Sequence, residues 1–128
     1  MKLLLDTHAF IWLNHAPEKL STTIREYCEQ GTEQFFLSLV TPWEMQIKQQ
    51  LGKLHIQPVV NQVIDVNIKE NNITLLPITL AHIEQLNNLP MHHRDPFDRM
   101  LIAQAQVEKM TLVTIDKIFA NYNIDIIW

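Results

Sequence analysis

The 128-residue chain predicts an α/β fold built on a parallel sheet, and three observations carry that expectation. Short apolar bursts alternate along the chain with stretches of helical periodicity. Each burst is apolar at successive positions, as a strand covered on both faces requires. No linker, low-complexity tract or internal repeat interrupts the alternation, so residues 1–128 are read as a single domain.

The elements follow in order. "KLLLD" is a short buried strand ending at Asp6, and a helix carrying "AFIWL" comes after it. Leu20 and Ser21 read as a hydrophobic staple and N-cap for a helix with Ile24, Tyr27 and Cys28 on one face; Gly31 stops it. "QFFLSL" is the second strand. Thr41 and Pro42 open a helix that places Trp43, Ile47 and Leu51 on one face and closes at Gly52. Pro58 opens another, with Val60, Val63, Ile64 and Ile68 at helical spacing. "ITLLPI" is the third strand, followed by helices over Thr79 to Leu89 and Pro96 to Glu108. "TLVT" and "IDIIW" supply a fourth and a fifth strand.

Composition removes several function classes. With only two glycines, neither a Gly-x-Gly-x-x-Gly turn nor a P-loop can be present. A lone Cys28 excludes an internal disulfide and a cysteine-based zinc cluster. The six histidines form no zinc pattern, since the adjacent His92 and His93 point poorly at one ion from a regular element. The apolar run Leu3–Leu5 is too short for a secretory h-region, and no stretch reaches the ~20 apolar residues of a membrane span. A cytoplasmic protein with no membrane association is the expectation. A formal charge of −4 argues against a broad surface coated by nucleic acid, but it suits an acidic pocket that holds cations.

Open parallel sheets bind ligands at the carboxyl ends of their strands. The first strand ends in Asp6, the second runs through Ser38 towards Glu44, and the fourth leads to Asp116. Asp95 and Asp98 open the helix "DPFDRMLIAQA". Carboxylates gathered in one pocket repel unless cations neutralise them. Oxygen donors suit Mg²⁺ or Mn²⁺, and two such ions can serve phosphodiester cleavage. Plain structural roles compete for each residue. Thr41-Pro42-Trp43-Glu44 and Asp95-Pro96-Phe97-Asp98 both have the capping-box shape, and Asp116 can simply begin a turn. Asp6 is harder to explain that way, because a carboxylate ending a buried strand is costly unless paired. Lys48 is either an exposed helix lysine or the partner of Glu44 one turn back. Arg94 and Arg99 pair with the acids or meet phosphate. His8, His15, His55 and His82 are expected to be surface or partly packed residues; His92 and His93 suit loop-fixing or substrate contact. Trp12, Trp43 and Trp128 are expected in the core.

Four pieces in order, "LLLDTHAFIW", "LSLVTPWEMQIKQQLGKL", "HHRDPFDRMLIAQA" and "LVTIDKIFANYNIDIIW", resemble the PIN-domain ribonucleases, specifically the VapC-like toxins of type II toxin–antitoxin systems. The resemblance implies an α/β/α sandwich around a five-stranded, mainly parallel sheet. It also implies a Mg²⁺- or Mn²⁺-dependent endoribonuclease that arrests translation and leaves 5′-phosphate and 3′-hydroxyl ends. The family's catalytic and metal-binding acidic quartet falls on Asp6, Glu44, Asp98 and Asp116. Asp6 and Asp98 are the leading ligands; Glu44 completes the site or orients water; Asp116 acts through water or a second ion. Asp95 supports the site as a cap, and Thr7, Ser38 and Thr114 supply hydroxyls near the acids. Arg94, Arg99, Lys48 and Lys53 are candidate RNA contacts by placement. A cognate antitoxin and a homodimer are the implied partners. The alternative is a non-catalytic PIN-like module that binds RNA or protein. A haloacid-dehalogenase-type phosphatase is disfavoured, because His8 stands where that chemistry needs a second acid.

Overall fold

The computed structural model describes residues 1–55 and 60–128. Five strands form one sheet: β1 (Lys2–Leu5), β2 (Gln34–Ser38), β3 (Thr74–Leu76), β4 (Thr111–Val113) and β5 (Ile126–Ile127). Their order is β3-β2-β1-β4-β5, and every pairing is parallel. The helices are α1 (Thr7–His15), α2 (Thr22–Gln30), α3 (Val40–Gln50), α4 (Val60–Glu70), α5 (Leu80–Gln85) and α6 (Pro96–Glu108). Among the described residues, no helix is long and apolar enough to cross a membrane.

Side chains of a strand alternate between faces, and here that alternation builds two cores. Leu3 and Leu5 of β1, Phe35 and Leu37 of β2, and Val113 of β4 pack with Phe10, Ile24 and Val63 on one face. Leu4 and Leu112 pack with Leu101, Ile102 and Phe119 on the other, joined by Phe36. Helices therefore cover both faces of the sheet, giving the expected α/β/α sandwich. The central strand β1 is apolar and buried on both faces from Leu3 to Leu5. Chain order runs outward from β1 in both directions, so the sheet reverses its winding between β1 and β4. That switch point opens a crevice at the carboxyl ends of those two strands.

The helix ends show where local chemistry decided the boundaries. Ser21 Oγ accepts the Ile24 N–H, and Gly31 closes α2 in the left-handed region at φ 64°. The helix α6 begins at Pro96 as expected, with Asp95 as N-cap. The helix α3 departs from expectation. It begins at Val40, because Ser38 Oγ accepts the Val40 N–H at 3.1 Å and Leu39 is already helical. Thr41 is therefore not the N-cap; its hydroxyl is buried without a hydrogen-bond partner among the described residues. Pro42 falls at the third helical position, where a missing N–H breaks no intrahelical bond. The expected start of the next helix at Pro58 lies outside the described residues.

Three further expectations are corrected. The Thr79–Leu89 helix is split: α5 ends at Gln85, and a 3₁₀ turn covers Leu86–Asn88. His82 is buried, not superficial. It fills the place of the usual Glu in a capping box with Thr79: its Nδ1 accepts the Thr79 N–H at 3.0 Å, which leaves Nε2–H to meet Glu108 at 2.8 Å. Trp43 is 58% exposed, with its ring edge-to-face on Phe97 at 5.1 Å. Trp12 and Trp128 are half-buried against the first core and meet edge-on.

Candidate active site

The crevice at the switch point collects the acids. Asp6 follows β1 directly and is buried. Its position is doubly used: the N–H continues the sheet to the Val113 carbonyl, and Oδ1 caps α1 by accepting the Ala9 N–H at 2.8 Å. The Thr114 hydroxyl also bonds the carboxylate. Burial raises the Asp6 pKa against the pull of Thr114, the Ala9 N–H and His8, and Asp116 adds to the rise.

Thr114 has a second task. Its Oγ1 accepts the Asp116 N–H at 3.0 Å, so one hydroxyl, bonded also to Asp6, joins the loop after β4 to the end of β1. Asp116 then caps the 3₁₀ turn Lys117–Asn121 through Ile118 N–H, so its turn-opening role is real. Glu44 is buried in the second turn of α3. Its Oε1 accepts the Thr7 hydroxyl at 2.7 Å, and its Oε2 meets Lys48 Nζ at 2.6 Å. The pairing with Lys48 is the second of the two roles open to that lysine.

Asp98 lies at the third position of α6. Asp95 fixes that turn, since its Oδ1 accepts the N–H groups of both Phe97 and Asp98. The Asp98 carboxyl is pushed up to about 7, first by burial, then by Asp95, Glu44, Asp6 and Asp116. The other four acids therefore lie close enough to burden one group. His93 Nε2 stands 2.9 Å from Asp98 Oδ2 and 3.8 Å from Asp116 Oδ2.

The fold thus brings Asp6, Glu44, Asp98 and Asp116 around one crevice, with Asp95, Thr7 and Thr114 in support. Ser38 works from further back: its Oγ accepts the N–H of Val40, the first residue of α3. Among the described residues, no three His, Cys, Asp or Glu side chains are arranged around one ion position. The donor chemistry still fits a hard divalent cation. Every acid offers oxygen, and the like charges that raise Asp98 are a burden that a cation relieves. In the arrangement seen, Lys48 partly takes that place.

The basic candidates divide. Arg94 and Lys53 are exposed, while Lys48 is held by Glu44. Among the described residues Arg99 pairs with no acid: its guanidinium donates to the carbonyls of Pro90, His93, Leu86 and Leu89. It clamps the loop before α6. Sequence reasoning missed Tyr122. Its hydroxyl accepts the His93 N–H at 2.7 Å and donates to the Pro90 carbonyl at 2.9 Å. No local pattern marks a tyrosine 29 residues from its partner.

Comparison with known proteins agrees with this fold. The PIN domain family model matches residues 3–124. No curated protein matches the sequence. Among solved structures, VapBC2 from Rickettsia felis bound to a DNA fragment from their promoter is similar, at TM-score 0.74 and 15% identity. The match covers 99% of this chain and 98% of the other. VapBC-1 from nontypeable Haemophilus influenzae matches at TM-score 0.72 and 18% identity, over 99% and 97%. A toxin–antitoxin complex from Klebsiella pneumoniae matches at 0.63 and 18%, over 98% and 96%. At these identities the likeness is one of fold.

Proposed function

We propose that this chain, which belongs to the PIN-domain family, is a divalent-metal-dependent endoribonuclease and the toxin of a type II toxin–antitoxin pair. The observation that carries the reading is the gathering of Asp6, Glu44, Asp95 and Asp116 around half-buried Asp98, whose carboxyl is pushed up to about 7 first by burial and then by these four charges. The family match over residues 3–124 supports reading residues 1–128 as one PIN domain. Similarity to toxin–antitoxin complexes supports an antitoxin as partner.

Asp6 and Asp98 would hold Mg²⁺ or Mn²⁺, with Glu44 and Asp116 completing the set. When bound, such an ion supplies charge for activating water and for stabilising the leaving oxygen. The remaining work belongs to the chain. Asp6 is rigid because it ends β1 and caps α1. Asp98 is rigid because Asp95 fixes the first turn of α6. Thr7 and Lys48 hold Glu44 by both oxygens, which orients a buried carboxylate at the crevice wall. Thr114 sets the spacing between Asp6 and Asp116. Exposed Arg94 and Lys53 remain the candidate contacts for RNA phosphates. The antitoxin would cover the crevice and present a basic side chain to the acids. A cytoplasmic homodimer is the expected form.

The test is cleavage of total cellular RNA by purified protein freed of antitoxin, with Mg²⁺, Mn²⁺ or EDTA, beside Asp98→Asn. Discrete fragments with 5′-phosphate ends, requiring both the ion and Asp98, are expected. Folded protein that cleaves under no condition overturns the nuclease reading in favour of a non-catalytic binding module.

A further inference from the structure

We propose that the apolar hollow beside Asp116 is a nucleobase subsite: it takes the base of one unpaired nucleotide next to the phosphate at the acids, and so restricts the substrate to single-stranded RNA. This rests on the reading of the crevice as the place where RNA is held and cut.

The hollow lies at the carboxyl ends of β4 and β5 and has a volume of about 360 Å³. It shares a wall with the crevice. Thr114 and Asp116 line it, and the Thr114 hydroxyl bonds the Asp6 carboxylate while accepting the Asp116 N–H. Its other walls are apolar, from Ile115, Ile126 and Trp128. Ile115 is 53% exposed, and Ile126 is exposed too. Apolar surface left open and rimmed by polar groups marks a binding surface.

The shared wall selects the occupant. A ligand with a phosphate at the acids carries its neighbouring group into the space beside Asp116. In RNA that group is a sugar bearing a base, with two apolar faces and a polar edge. Ile115, Ile126 and Trp128 suit the faces; Thr114, Asp116 and Lys117 offer polar atoms to the edge and the backbone. A base can enter only when it is out of the helical stack, which a duplex does not allow.

A second observation lies along the same side. Trp128 packs edge-on against Trp12 at 5.6 Å, and Trp12 meets His8 at 5.8 Å. His8 is exposed and close enough to Asp6 to pull its carboxyl down. The three rings therefore run in a row from the hollow back to Asp6. The Lys19 ammonium stands 5.7 Å from the centroid of the Trp12 ring, and both Lys19 and Lys117 are exposed. Aromatic rings interleaved with cations are the means by which proteins hold single strands: rings take bases and ammonium groups take phosphates.

Binding of a short fluorescein-labelled single-stranded RNA of random sequence is measured by anisotropy in Ca²⁺, with gels to confirm that the RNA stays intact. A labelled RNA duplex is measured alongside, and melting curves establish folding. Trp128→Ala is expected to bind the single strand about 5–100-fold more weakly, with Trp128→Phe keeping most of the affinity. Ile115→Ser, at an exposed position, serves where Trp128→Ala fails to fold; a loss of at least about threefold is expected. Duplex binding should be the same for all. Unchanged single-strand affinity in the folded variants overturns the proposal. So does an equal loss for single strand and duplex, which a merely structural role of Trp128 would produce. Variants that bind RNA normally but release a copurifying antitoxin assign the hollow to protein and overturn it as well. Cleavage in Mn²⁺ separates the two readings. If the unchanged protein cleaves RNA and the variants bind and cleave as it does, only the subsite fails. If it binds single strands through Trp128 and Ile115 yet cleaves none, the nuclease reading fails and the base subsite stands. If it binds no single-stranded RNA, both fail.

Discussion

Replacing Asp98 by Asn should make the metal-free protein more stable while removing its activity. The carboxyl rises from 3.8 to about 7 in the folded chain because it is buried among Asp95, Glu44, Asp6 and Asp116. At about 1.36 kcal/mol per pH unit, ionising it there rather than in the unfolded chain costs about 4 kcal/mol. Water entry and side-chain movement relieve part of this, so a gain of about 2–4 kcal/mol is expected for Asn at pH 8.5. Asn has the same shape as Asp and leaves the Asp95 cap of the helix in place, so little else is lost. The sign follows from proton uptake. Because the folded pKa lies above the unfolded one, the Asp98 protein loses stability as pH rises from about 4 to about 7, then levels. Asn carries no such slope. The advantage of the variant therefore vanishes near pH 4, grows through that window and is flat above it. Urea denaturation in EDTA across pH 4–9 measures it. A variant less stable than the parent at pH 8.5, or a difference independent of pH, would refute the electrostatic account of the crevice.

Other consequences are as specific. Thr7→Val leaves buried Glu44 short of a hydrogen bond at Oε1 and should cost about 1–3 kcal/mol at neutral pH; an unchanged urea midpoint would count against that bond. Arg99→Lys keeps the charge but loses the planar fork that serves four carbonyls. Amide exchange over residues 86–93 should quicken, while exchange in the β1–β4 core stays slow. The Cys28 thiol is pushed up to about 11, chiefly by burial and then by Glu29. Iodoacetamide at pH 8 should therefore label the native protein far more slowly than the unfolded chain, and equal rates would contradict the packing around it.

Much of this arrangement could be read from the residues alone, and the failures have particular causes. Strands apolar on both faces announced a sheet covered on both sides, and the acids after β1 and β4 marked the crevice before its geometry was known. Asp95-Pro96 marked the start of α6, because a capping acid and an N1 proline agree on one position. The same pattern misled at α3. Thr41 and Glu44 have capping-box spacing, but the helix already begins at Val40, whose N–H donates to Ser38 Oγ, and Thr41 turns into the core. Glu44 consequently enters the site from the second turn, steadied by Thr7 and Lys48. Trp43 escaped the core because α3 turns its buried face, with Glu44 and Met45, away from it. His82 and His93 are the plainest case of tertiary override. Each has one ring nitrogen fixed by a backbone N–H within three residues and the other aimed at a distant or local acid. Only the first half of such a bridge leaves a trace in local sequence, and Tyr122 leaves none.

The central claim is that these acids form a cation site, and the most direct measurement is an anomalous difference map from a crystal soaked in Mn²⁺. The account predicts a peak between the carboxylates of Asp6 and Asp98 that disappears in Asp98→Asn. A map with no peak in the crevice at saturating Mn²⁺, from a crystal in which the acids are ordered and uncovered, would contradict it.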